Sequence, residues 1–171
     1  MPPDASGQPA GWLGAIAVAD LVERMVTRGM TLSVAESLTG GLVLAALTDV
    51  PGSSAAVLGG VVAYSDTVKV DLLGVDAADL VRHSAVSEPV ARQMAEGCRA
   101  RFGTTVALST TGEAGPTSAT GAPVGTHVVA LATAAATRTK SFHVSGDRGA
   151  VRRAAVVNAL GLLADVLATD A

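Results

Sequence analysis

The sequence predicts an α/β domain in three layers, α/β/α, around a mostly parallel mixed sheet. Strand-like runs alternate with helical stripes along most of the chain, and a late pair of strand-like runs lies close enough to form an antiparallel hairpin. The 171 residues, 49 % apolar and 16 % charged, suit one domain with a full core. Aromatic residues make up 2 %, so that core has to be built from Ala, Val and Leu. Residues 1–11 are rich in Pro, Gly and Ala without any period and read as a flexible tail. Residues 12–171 then form a single domain, with no internal repeat and no linker.

The elements follow in order. Trp12 to Arg28 carries Leu13, Ile16, Ala17, Leu21, Val22 and Met25 as a helical stripe, and Gly29 stops it. Thr31 to Ala35 is a short strand. A polar turn with Gly40-Gly41 follows, and then Leu42 to Leu47, apolar all round and therefore a buried helix. Residues 49–54 are a loop and Val57 to Tyr64 a strand. Ser65 is an N-cap with Asp66 in the first turn of a short helix that Gly74 ends. Asp76 to His83 is a short helix or turn. Ser87-Glu88-Pro89 combines a cap, an acid and an early proline, and starts a helix that runs to Phe102. Thr104 to Ser109 is a strand, and Thr110 opens a long polar loop ending near Pro123. Val124 to Thr133 and Arg138 to Val144 make the hairpin. Val151 to Leu167 is the last helix.

Composition excludes several function classes. A net charge of −3 implies no basic face for nucleic acid. A single cysteine, Cys98, rules out an internal disulfide framework and suits a reducing compartment. No apolar run approaches the roughly 18 residues of a membrane span, and the first residues lack the pattern of a signal peptide, so a cytoplasmic protein is expected. His83, His127 and His143 have no metal-ligand spacing with Cys, Asp or Glu, and no metal is expected.

In a sheet of this kind ligands bind at the carboxyl ends of the strands. The loops expected there are those at Ser37, at Tyr64-Ser65 and at Thr110-Thr111, and all three can face one crevice. Ser37 and Thr39 read on one view as caps of the helix that follows. On another, the free N–H groups of that helix favour an anion or a developing oxyanion beside them. No histidine sits in a post-strand turn, so a Ser-His-Asp triad is not suggested. Lys69 is the alternative base, with Val68, Val70, Leu72 and Leu73 to desolvate it and Tyr64 to orient or relay. Burial disfavours the charged form of an amine, and a neutral amine can take the proton of a serine hydroxyl. The competing reading of Lys69 is a solvated helix lysine. Arg148, Arg152 and Arg153 open the last helix, where the dipole disfavours cations. They point to an anion such as a phosphate, or serve solubility alone. Gly112 and Gly115 either line a ligand or only shape their loop.

At these residues the chain resembles the C-terminal domain of the CinA family, including stand-alone nicotinamide-nucleotide amidases. The matching segments begin with Ala35-Glu36-Ser37 and Thr39-Gly40-Gly41. Val50-Pro51-Gly52-Ser53-Ser54 and Gly60-Val61-Val62-Ala63-Tyr64-Ser65 come next, with Lys69 and Leu73-Gly74-Val75. Ala85-Val86-Ser87, Met94-Ala95, Thr111-Gly112, Ala114-Gly115-Pro116 and Pro123-Val124-Gly125-Thr126 follow, and Gly146-Asp147-Arg148 with Val151-Arg152 closes the set. The resemblance implies an amidohydrolase that deamidates nicotinamide mononucleotide to nicotinate mononucleotide and ammonia, with no metal and no cofactor. It implies Ser37 as nucleophile, Lys69 as base and Tyr64 as an assisting hydroxyl. Thr39, Gly40, Gly41, Thr111, Gly112, Ala114 and Gly115 would contact the nucleotide, and Arg148 or Arg152 its phosphate. A non-catalytic nucleotide-binding module of the same fold is the alternative, and a homo-oligomer is left open. Three departures stand out. Glu113 replaces a usual aliphatic residue and Asp66 a common asparagine, and the 117–122 loop is shorter and lacks the usual lysine before Pro123.

Overall fold

A computed structural model describes residue 13 and residues 16–169. The expected tail at 1–11 and the helix start at Trp12 lie outside the described residues. The elements run α1 (Val18–Thr27), β1 (Leu32–Glu36), α2 (Leu42–Thr48), β2 (Val57–Val62), α3 (Asp66–Leu73) and α4 (Ala77–His83). They continue with α5 (Glu88–Phe102), β3 (Val106–Gly112), β4 (Thr126–Ala132), β5 (Thr137–His143) and α6 (Arg148–Thr169). The sheet order is β2-β1-β3-β4-β5. β2, β1 and β3 pair in parallel, and β4 runs antiparallel to both β3 and β5. One strand of five is therefore reversed, as expected of a mostly parallel mixed sheet.

The alternation of side chains along the strands splits the core between two faces. Leu32 and Val34 of β1, Val106 and Leu108 of β3 and Val129 and Leu131 of β4 pack with α1, α2 and α6. Ala35, Ala107, Ala130 and Ala132 turn the other way, toward α3 and α5. Small residues on that second face let α5 lie close. Gly97 of α5 takes this furthest, because a Cβ there would stand 1.7 Å from the Leu73 carbonyl oxygen at the end of α3.

Some boundaries differ from the sequence reading. α1 begins at Val18, so Ile16 and Ala17 of the expected stripe precede it. The 49–54 loop runs into a 3₁₀ turn at Ser53–Ala55. β2 stops at Val62, so Ala63 and Tyr64 belong to the loop beyond it. β4 starts at Thr126, two residues after the expected start. β3 continues through Thr110, Thr111 and Gly112, which pair with Val129, Val128 and His127. Their polarity suggested a loop, but their backbone groups are satisfied by the β4 ladder. The first three strands end on the same edge of the sheet. Ser37 N–H donates to the Thr110 carbonyl (2.9 Å) and Ala63 N–H to the Glu36 carbonyl (2.7 Å), which fixes both post-strand loops at that edge.

Candidate active site

A cleft of about 570 Å³ opens at the carboxyl ends of β1, β2 and β3. Ser37, Tyr64, Lys69, Thr111, Gly112, Ala114, Gly115 and Arg148 all line it. Residues from four separated segments of sequence thus meet in one place. No histidine lines the cleft.

Ser37 follows β1 directly. It is not a cap of α2, and neither is Thr39. The N-cap position of α2 is Gly41, with φ +98° and no side-chain capping bond. Glu36 supplies the cap instead. Its buried carboxylate accepts from the N–H groups of Gly41 (2.8 Å), Val43 (3.1 Å) and Leu44 (2.9 Å). The expectation that these N–H groups would receive a ligand anion is corrected in the same way, because the chain's own carboxylate occupies them. Thr39 is buried and its hydroxyl meets that of Thr110 at 2.7 Å. Gly40 has φ +59°, and Arg152 donates from Nε to the Leu38 carbonyl (3.0 Å) and from Nη2 to the Thr39 carbonyl (2.8 Å). Thr39, Gly40, Gly41 and Arg152 therefore stand behind the Ser37 turn and hold its shape; none of them lines the cleft. The Ser37 hydroxyl makes no hydrogen bond among the described residues.

Lys69 is not a solvated lysine. It is 2 % exposed, beside Leu73 on the inward row of α3, and its Nζ lies 3.0 Å from Asp66 Oδ1 one turn earlier. Leu72 does not desolvate it, being 37 % exposed. Ser65 caps α3 as expected, its Oγ accepting from Val68 N–H at 3.3 Å. No hydrogen bond joins Lys69 Nζ to Ser37 Oγ among the described residues. Such contacts are often long in unliganded sites and tighten on binding.

The opposite wall comes from the end of β3 and the segment after it. The Thr111 hydroxyl donates to the Ala85 carbonyl (2.7 Å), which joins the α4–α5 connection to the cleft. Arg148 spans the rim, donating from Nη1 to the Gly115 carbonyl (2.8 Å) and from Nη2 to the Tyr64 hydroxyl (2.8 Å). Glu113 is 6 % exposed, and its Oε1 accepts from Ala119 N–H (3.1 Å) and Thr120 N–H (2.7 Å). Burial pushes its carboxyl up. Hydrogen bonds from the Thr120 hydroxyl, the Ala119 and Thr120 N–H groups and the Ser118 hydroxyl outweigh that and hold it below the usual carboxylate range. Glu113 and the short 117–122 loop, two separate departures in sequence, are thus one structural unit.

The model of the CinA C-terminal domain matches residues 15–167. The chain belongs to the CinA C-terminal domain family. A CinA-like protein of Frankia casuarinae is 49 % identical over 144 residues, covering 84 % of this chain and 33 % of that protein. A crystal structure of the competence damage-inducible protein A (ComA) from Klebsiella pneumoniae superposes with a TM-score of 0.83 at 36 % identity, covering 88 % of this chain and 97 % of that one. A competence-damaged protein (CinA) superfamily member from Escherichia coli superposes at 0.84 with 33 % identity and 87 % coverage of each chain. The chain spans about a third of the length of the curated relatives it matches. Among its described residues no helix is long and apolar enough to cross a membrane, and no three His, Cys, Asp or Glu side chains gather as a metal site.

Proposed function

We propose that this CinA domain is an amidohydrolase that converts nicotinamide mononucleotide to nicotinate mononucleotide and ammonia. The observation that carries the reading is the meeting of Ser37, Tyr64 and a buried Lys69 in one cleft at the carboxyl edge of the sheet. Ser37 Oγ attacks the carboxamide carbon while Lys69 takes the hydroxyl proton. That proton passes to the departing amide nitrogen, ammonia leaves, and an ester to Ser37 remains. Water then hydrolyses the ester and restores the serine. Tyr64, held by Arg148, assists at the mouth. Arg148 is the phosphate ligand favoured here, because it lines the cleft while the Arg152 guanidinium is spent on two backbone carbonyls. Thr111, Gly112, Ala114 and Gly115 form the nucleotide wall. No step draws on a metal or cofactor, and a cytoplasmic place of work and self-association remain parts of the proposal.

The test is incubation of the protein with nicotinamide mononucleotide. Ammonia and nicotinate mononucleotide are expected in equal amounts. A second reading, a nucleotide-binding module without turnover, is favoured by the engagement of Lys69 with Asp66 and not with Ser37. Calorimetric binding of the nucleotide with no ammonia released would establish that reading in place of the first.

A further inference from the structure

Four charged side chains line the cleft: Asp66, Lys69, Glu113 and Arg148. Two of them face each other, with Lys69 Nζ 3.0 Å from Asp66 Oδ1 in the unliganded cleft. The other two have no ionic partner within 4.0 Å among the described residues. Arg148 donates only to a carbonyl and a phenol hydroxyl, and Glu113 is held by two backbone N–H groups, all of them neutral. The cleft therefore presents one unpaired cation and one unpaired, largely buried anion. A partly desolvated charge gains most from a partner of opposite sign supplied by the ligand. A ligand carrying a single phosphate satisfies Arg148 and leaves Glu113 unmatched. A ligand with both an anionic group and a fixed positive charge satisfies both.

We infer that Glu113 is a specificity residue that selects a positively charged ring, so that the site takes a pyridinium nucleotide in preference to one with a neutral ring. The inference rests on the nucleotide-amidase reading and deepens it. The Ala119 and Thr120 N–H groups hold the Glu113 carboxylate without cancelling its charge. The N-ribosylated pyridinium is cationic, and its reduced dihydropyridine counterpart is neutral with the same ribose and phosphate. That pair isolates the ring charge.

The experiment titrates both forms of nicotinamide mononucleotide, and ribose 5-phosphate, into Ser37→Ala protein by calorimetry, so that the ligand is not consumed. The pyridinium form is expected to bind about tenfold or more tightly than the dihydropyridine form. Adding Glu113→Gln, which keeps the size and an acceptor oxygen, should bring that ratio to within about twofold and leave ribose 5-phosphate affinity unchanged. Glu113→Asp should retain part of the preference. A ratio near one in the Ser37→Ala protein overturns the inference without any change at Glu113, and so does a ratio that survives Glu113→Gln. If neither nucleotide binds, the inference falls together with the nucleotide-amidase reading. Binding with the expected preference but no ammonia from the native protein removes the hydrolytic reading alone.

Discussion

Ser37 is placed by its backbone and not by its hydroxyl. Its N–H is fixed to the Thr110 carbonyl and the next two carbonyls, of Leu38 and Thr39, are held by Arg152, while Oγ is left for the cleft. Ser37→Ala should therefore abolish ammonia release and change stability by no more than about 0.5 kcal/mol, less than the loss of a cap would cost. A denaturant melt beside the activity assay checks both halves. Lys69→Arg should be as inactive as Lys69→Ala, because a guanidinium cannot accept the serine proton. An active arginine variant would mean that the position contributes charge alone, and Tyr64 would become the candidate base. From the residues alone, a desolvated Lys69 and a solvated one were both open. Val68, Val70, Leu72 and Leu73 gave α3 no single apolar face, and the inward row proved to be Lys69 with Leu73.

At the scale of the element, the strand–turn–helix from β1 to α2 was legible as a shape but not in its wiring. The Ser-Leu-Thr turn suggested a local cap. The cap comes instead from Glu36, the last residue of the strand, which lies outside any local capping pattern because it precedes the helix by a whole turn of chain. Glu36→Ala would strip three N–H groups of their acceptor, one of them on the buried Val43. A loss of roughly 2–4 kcal/mol is expected in a denaturant titration, together with a fall in turnover as Ser37 shifts. Full activity and stability in that variant would show that the carboxylate does not set the turn. The end of β3 is the second place where the sequence was ambiguous. Thr111 lines the cleft and the buried Thr110 hydroxyl meets that of Thr39, yet both residues complete the ladder with β4.

For the whole molecule, the alternation of strands with helices and the late hairpin were enough to read the layers and the single reversed strand. The meeting of Ser37, Tyr64, Lys69, Thr111 and Arg148 needs the crossovers that put β1 between β2 and β3, which no local pattern encodes. Next to Gly112 in the β3–β4 ladder lies another feature that single residues did not announce. His127 is fully buried, stacks on Phe142 with ring centroids 5.4 Å apart, accepts at Nε2 from Asn158 (2.8 Å) and donates from Nδ1 to the Gly125 carbonyl (3.1 Å). It links β4, β5 and α6 as a neutral ring. Burial holds its pKa below the usual value of about 6.5, with the nearby His143 adding to that and the Gly125 bond opposing it. The folded state then binds fewer protons than the unfolded chain as pH falls through that region, so stability should drop from about pH 7 toward pH 5. The drop should be shallower in His127→Gln, and equal slopes in both proteins would remove His127 as the cause. Glu113, with its pKa lowered, stabilises the fold above the ordinary carboxylate range and loses that contribution only at lower pH, which keeps the two effects apart.

The measurement that bears most directly on the proposed chemistry is ammonia release from nicotinamide mononucleotide by the native protein, Ser37→Ala and Lys69→Arg side by side, each shown to be folded. Release by the native protein alone is the predicted result. Release by Ser37→Ala at a rate near that of the native protein would contradict it.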